Sequence, residues 1–185
     1  EPRAHHWFRH LLKGVEFLQK RGVCHRDMSL ENLLVDKDDC LIIDMGMCIR
    51  IPHVKPGVDP SVQTTDVREG GTRLLLAPIA RCGKPNYMSP EVFRNRDPFD
   101  GYAIDLWACG VILFIMLTGV PPFEFPNMED QRFTLISQGR LNHMLKSWNI
   151  HISDQAADLL QRMLRPNPEE RLSLREILNH PWVQA

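Results

Sequence analysis

Between Trp7 and Leu18 the apolar residues Trp7, Leu11, Val15 and Leu18 recur every three or four positions, the period of a helix with one buried face. Pro2 suits a first helical turn and Gly22 a stop, so the pattern predicts a helix over residues 2–20. Two short apolar runs, "NLLV" and "CLII", flank "DKDD" and predict a small β-hairpin. From Met45 to Tyr87, Pro52, Pro56, Pro60, Gly57, Gly70 and Gly71 interrupt every period, and a long irregular segment is expected. Ser89-Pro90-Glu91 then reads as a serine cap, a first-turn proline and an acid at a helix start. The run "IDLWACGVILFIML", Ile104 to Leu117, holds one carboxylate and predicts a core helix that stops at Gly119, ahead of Pro121 and Pro122. Further helices are expected near 128–138 and from Ser153 to Leu164, where Ala156, Leu159, Leu160, Met163 and Leu164 share a face. Ser173 and Glu176 form an S-x-x-E capping box for a last one. The chain reads as mainly α with a small β-hairpin.

Composition narrows the function classes. At 185 residues the chain can bury one real core, and its net charge of −1 gives no broad attraction to nucleic acid or an anionic membrane. The run from Ile104 to Leu117 is shorter than the ~20 residues a membrane span needs. The five cysteines are odd in number, widely spaced and without a CxxC pair. Reduced thiols in a cytoplasmic or nuclear compartment are therefore expected. "EPRAHHWFRH" has no signal-peptide core and no initiator methionine, so a fragment or a trimmed start is expected. His6 and His10 stand one helical turn apart, but no third metal ligand accompanies them.

The chemistry concentrates in "HRDMSLEN", residues 25–32. His25-Arg26-Asp27 is followed five positions on by Asn32, and Asp44-Met45-Gly46 follows 17 positions after Asp27. Then come Ser89-Pro90-Glu91, Asp105 in the apolar run, and Arg171 near the end. In this order and spacing the set resembles the catalytic loop, magnesium motif, APE motif and helical-base residues of eukaryotic protein kinases of the Ser/Thr type. The resemblance covers nearly the whole chain but only one lobe. The glycine-rich loop, strand lysine and helix glutamate of that family have no counterpart in these 185 residues. It implies the C-terminal, helical lobe of the protein kinase-like fold with the N-terminal lobe absent. Residues 1–185 would then hold a catalytic loop at 25–32, an activation segment at 44–91 and a helical base at 92–185.

By the same resemblance the cofactors are ATP and Mg2+, and the reaction is transfer of the γ-phosphate to serine or threonine of a protein substrate. Asp27 is the base that orients the substrate hydroxyl. Asn32 and Asp44 are the oxygen ligands of the metal, and with Leu34 they form the cofactor side of the site. His25 packs rather than titrates, and Arg26 balances charge beside Asp27 and is a receptor for a phosphate on the activation segment. Asp105, expected in the first turn of its helix where a negative charge is tolerated, holds the catalytic-loop backbone. Glu91 and Arg171 form an ion pair. Met45 replaces the usual phenylalanine and is expected to keep its apolar contact.

One departure carries its own hypothesis. Most Ser/Thr kinases place lysine two residues after the catalytic aspartate and threonine after the glycine of the substrate loop. This chain has Ser29 and Lys84 there, each the other's expected type. An exchange is expected in which Lys84 supplies the ammonium and Ser29 the hydroxyl beside Asp27. Glu31 favours Ser/Thr over tyrosine specificity. The activation segment spans 91 − 44 = 47 positions, with Ser61, Thr64, Thr65 and Thr72 as candidate phosphosites. The expected partners are a protein substrate and the missing lobe, without which the chain is not expected to act alone. Two other readings compete: a pseudokinase or truncated binding module, and a small-molecule phosphotransferase. Retention of Asp27, Asn32 and Asp44 argues against the first, and the substrate-loop and SPE pattern against the second.

Overall fold

The computed structural model describes residues 1–59 and 61–185, and Pro60, one of the expected breakers, lies outside the described residues. Helix α1 (Pro2–Lys20) forms as the periodicity requires, with Leu11, Val15 and Leu18 buried as expected, but Phe8 rather than the part-exposed Trp7 begins the buried face. It lies against the antiparallel ribbon β2 (Leu33–Asp36) and β3 (Asp39–Ile42), paired from Leu33↔Ile42 to Asp36↔Asp39. The turn is tighter than expected. Only Lys37 and Asp38 are unpaired, with Lys37 at φ 54°. Side-chain alternation places Cys40 inside and exposes Leu34 and Leu41.

The core is built on α3 (Gly101–Thr118), which contacts α1 and α6 (Asp154–Met163). From Gly101 to Phe114 every residue except Ala103 is buried, so an apolar stretch of near-membrane length is used to fill the interior. Trp107, Phe123 and Phe133 pack ring on ring at one end, and Phe114 meets Trp148 at the other. The helix begins at Asp100, whose side chain accepts the Tyr102 N–H, and ends at Gly119. That start moves Asp105 out of the first turn, against expectation. Its charge is held by hydrogen bonds rather than by the helix end.

The region from 45 to 87 contains more structure than the breakers suggest. Besides β2–β3 there are two further antiparallel ribbons. In the first, β1 (Val23–Cys24) pairs with β4 (Ile49–Arg50); in the second, β5 (His53–Val54) pairs with β6 (Thr72–Arg73). Two-residue strands have no periodicity for a sequence pattern to reveal. Ser89 does occupy the N-cap of α2 (Pro90–Arg94), but its hydroxyl makes no capping bond. The base is completed by α4 (Gln131–Ser137), α5 (Leu141–Ser147), α7 (Leu174–Leu178) and α8 (Pro181–Gln184). The Ser173–Glu176 capping box forms as read. α5 and α8 were not anticipated, being too short to show a helical period.

Candidate active site

The site gathers on the loop between β1 and β2. Arg26 sits at φ 69°, a left-handed conformation that costs a non-glycine residue about 1–2 kcal/mol. The kink is held from the core. Asp105 accepts the His25 N–H at 2.7 Å and the Arg26 N–H at 2.9 Å, and the Cys24 thiol donates to Gly101 O at 2.9 Å. Burial pushes the Asp105 carboxyl up, and the two backbone donors draw it back. The same burial, with the Asp105 charge beside it, pushes the Cys24 thiol well up and keeps it protonated.

His25 is fully buried and works as a spacer. Its Nε2–H donates to Ile43 O at 3.0 Å while Nδ1 accepts the Asp27 N–H at 3.3 Å. Both ring nitrogens are therefore used in bonds to nearby backbone. Asp27 is joined to Asn32, whose Nδ2 donates to the Asp27 carbonyl at 2.7 Å and to Oδ2 at 3.2 Å. The other carboxylate oxygen, Oδ1, is buried without a partner. Gly83 lies over it. A side chain there would bring its Cβ within 3.2 Å of Oδ1 and 3.3 Å of Arg26 O, and φ is +87°. Glycine is required at that position on both counts. Reading the sequence for charged groups missed Gly83, although its place in "CGK" was the available signal.

Lys84 and Ser29, 55 residues apart, meet. Lys84 Nζ donates to Ser29 Oγ at 3.1 Å and stands 3.5 Å from Glu31 Oε2. Burial would raise the Glu31 carboxyl, but its own backbone bond, Lys84 and Ser29 outweigh that and hold it below the usual value. The ammonium, hydroxyl and carboxylate thus form one cluster beside the Asp27 loop, and Glu31 joins it as a member the exchange idea had not included.

Asp44 follows β3 and is exposed. It caps a short 3₁₀ turn, Met45–Met47, at φ 62°, and its Oδ1 accepts the Gly46 N–H at 3.3 Å. It is brought toward Asn32 through the backbone, because Ile43 N–H donates to Asn32 O at 2.9 Å. No direct side-chain bond joins Asp44 to Asp27 or Asn32 among the described residues. Leu34 is half-exposed on β2. Met45 does not make the expected apolar contact. It is 47% exposed at the rim of a cavity with Phe17 and Leu41, and its sulfur accepts the Cys48 S–H.

Arg26 makes no bond to Asp27. Its guanidinium donates to Met47 O at 3.4 Å and Ala80 O at 2.9 Å, joining two points 33 residues apart in the chain. The expected ion pair is present and bidentate, Arg171 to Glu91 at 2.9 and 3.2 Å. The Arg171 side chain is 1% exposed and also donates to Ala103 O and Arg165 O. His6 and His10 lie ring to ring at 4.8 Å, and no group of three or more metal-ligating side chains occurs among the described residues.

The site thus holds an aspartate joined to an amide, with an acid on the next loop, and sequence comparison identifies the family. The family model described as "Protein kinase domain" matches residues 1–183. The chain belongs to the protein kinase domain family. It is 37% identical over its whole length to CBL-interacting protein kinase 31 of Oryza sativa subsp. japonica, covering 36% of that protein. It is 35% identical to CBL-interacting serine/threonine-protein kinase 9 of Arabidopsis thaliana, again over the whole chain and 36% of the relative. Serine/threonine-protein kinase DCLK3 of Mus musculus is 31% identical over the whole chain and 21% of its own length. The chain therefore spans about a third or less of the length of these relatives.

Proposed function

We propose that this chain carries the catalytic loop and metal side of a protein kinase that transfers the ATP γ-phosphate to serine or threonine of a protein substrate. The observation that carries the reading is the Asp27 carboxylate. One oxygen is fixed by Asn32, and the other is buried without a donor beneath the 82–84 turn. An unpaired buried acceptor costs about 1–3 kcal/mol, and a substrate hydroxyl is a donor that would relieve it. Asp27 then orients that hydroxyl and takes its proton.

The donor set also suits a hard cation. Asn32 turns its amide nitrogen to Asp27, which leaves its oxygen for a metal, and the exposed Asp44 carboxylate offers more. Two oxygen ligands without a closed protein cage suit Mg2+, which keeps waters and phosphate oxygens around it. When bound, Mg-ATP supplies the phosphoryl group and neutralises its charge. Lys84 holds an ammonium beside the transferring group, and Ser29 positions it from the other side of the cleft. Leu34 offers an apolar surface to the nucleotide base. Glu91–Arg171 and Asp105 hold this framework in place.

Completion of the nucleotide cleft by a second lobe outside these 185 residues belongs to the same proposal. The exposed Leu34, Leu41, Met45 and Phe17 support it, an apolar surface of the kind that another body covers. The test is phosphate transfer by the full-length protein from radiolabelled ATP with Mg2+ to a mixed protein substrate, followed by phosphoamino-acid analysis. Phosphoserine or phosphothreonine is expected, with a loss of about 100-fold or more in the Asp27→Asn variant. No transfer, or transfer that Asp27→Asn leaves unchanged, would favour the binding-module reading instead.

A further inference from the structure

Arg81 precedes the turn that covers Asp27, and the backbone on either side of it is fixed. Ala80 O accepts the Arg26 guanidinium at 2.9 Å, and the Cys82 thiol donates to Arg26 O at 3.5 Å. Gly83, two residues on, lies against Asp27 Oδ1. Consecutive Cα atoms are about 3.8 Å apart, so the Arg81 Cα stands within about 8 Å of the Gly83 Cα. The Arg81 side chain is exposed, and its guanidinium lies over the Phe93 ring of α2, 5.1 Å from the centroid. Phe93 in turn meets the half-exposed Phe125 at 6.2 Å.

Other cations of this region are engaged. Lys84 stands by Ser29 and Glu31, Arg26 is bonded to two carbonyls, and Arg94 turns its Nε to Pro90 O at 3.3 Å. The carboxylates of Glu91 and Glu124 are held by Arg171 and Arg132. The Arg81 side chain makes no ion pair and no hydrogen bond among the described residues. An aromatic face therefore holds its charge in place, attracting the cation without neutralising it. A guanidinium held this way presents a planar fork of donors that matches a carboxylate.

We propose that Arg81 is a specificity-determining residue: it binds the carboxylate of an aspartate or glutamate close to the phosphoacceptor, so that the substrates are acidic segments of proteins. The inference rests on the reading above, which places a substrate hydroxyl at Asp27 Oδ1. Residues one to three positions from that hydroxyl lie about 4–11 Å from it along an extended chain. That span is comparable with the separation of Arg81 from the turn over Asp27. Phe93 acts as the positioning residue, since it holds the guanidinium, and Phe125 extends the same surface with apolar area.

The test uses the full-length protein and paired serine peptides that carry Glu or Gln at each of three positions on either side of the serine. With Mg-ATP, kcat/KM is expected to favour Glu about fivefold at one of these positions, the upper end for a solvent-exposed ion pair. Arg81→Gln is expected to bring that ratio to about one. Arg81→Glu is expected to turn the preference to a lysine peptide, a reversal that a merely structural arginine would not give. A second arm does not depend on transfer. The same peptides, labelled and with alanine for serine, are titrated by fluorescence anisotropy, and the same ratio is expected in Kd, fading at high salt. Absence of transfer with this binding preference intact would count against the kinase reading and still support the role of Arg81. Equal kcat/KM in an active enzyme, equal Kd, or a preference that survives Arg81→Gln overturns the proposal. A phosphoserine peptide favoured over its Glu counterpart by more than about tenfold overturns the carboxylate assignment in favour of a phosphate.

Discussion

Asp105→Ala removes the acceptor of two buried N–H groups, those of His25 and Arg26. Each buried donor left unpaired costs about 1–3 kcal/mol, so the pair costs about 2–6 kcal/mol. Part is returned, because burial already works against the ionised carboxylate. A net loss of about 2–4 kcal/mol from the conformation of the 25–26 turn follows. Arg26, held at φ 69°, is then free to leave the left-handed region. The assay is native-state hydrogen exchange in the full-length protein, read at the His25 and Arg26 amides. At 1.4 kcal/mol per decade, exchange at both is expected to quicken about 30- to 700-fold. Asp105→Asn keeps one acceptor oxygen and is expected to give about half the loss in free energy. The protected core of α3 should change much less in either variant. A change below threefold at the two amides would show that Asp105 does not hold this turn.

Other perturbations test neighbouring parts. The Ser29→Lys and Lys84→Thr substitutions are each expected to lower phosphate transfer, with partial recovery in the double variant; strictly additive losses in kcat/KM would refute the exchange. Glu91→Ala leaves the Arg171 guanidinium buried without its partner and is expected to destabilise the protein by about 3–5 kcal/mol in chemical denaturation. Gly83→Ala forces a side chain onto Asp27 Oδ1 at φ +87°, and a fall in kcat with little change in stability of the distant helices is expected in steady-state kinetics. Asp130 caps α4 and takes the backbone N–H groups of Glu124 and Phe125; burial would raise its carboxyl, but these bonds and Arg132 hold it below the usual 3.8. Its folded pKa is depressed, so its contribution is complete above about pH 4 and is lost as pH falls through the folded value. The stability gap between the natural protein and Asp130→Asn, measured by denaturation against pH, should close in acid.

Much of the helical frame could be read in advance because it depends on local rules. α1 follows from a 3–4 residue apolar period and α3 from a long apolar run with a single carboxylate. α7 follows from Ser173 and Glu176, whose side chains bond within one turn. The spacing of Asp27, Asn32 and Asp44 likewise singled out the residues of the candidate site before any fold was known. The hairpin and the buried Glu91–Arg171 pair were legible too, the pair by resemblance.

Other features had no local cause to read. The ribbons β1–β4 and β5–β6 join two-residue segments whose partners lie far along the chain, and nothing in either segment specifies the other. Asp105 bonds the 25–26 backbone as the resemblance implied, though not from the first turn of its helix, and Arg26 turned to two carbonyls instead of Asp27. Met45 stayed about half exposed, beside Phe17 and Leu41. The meeting of Lys84 with Ser29 and Glu31 depends on how residues 82–84 cross the 25–32 loop. The sequence by itself determined which side chains bear charge, which faces are apolar and where helices begin, because those properties belong to each residue and its near neighbours. Only the tertiary structure decided which of the charged groups are partnered, since hydrogen bonds and ion pairs act over a few ångströms and distant segments reach that range only after packing.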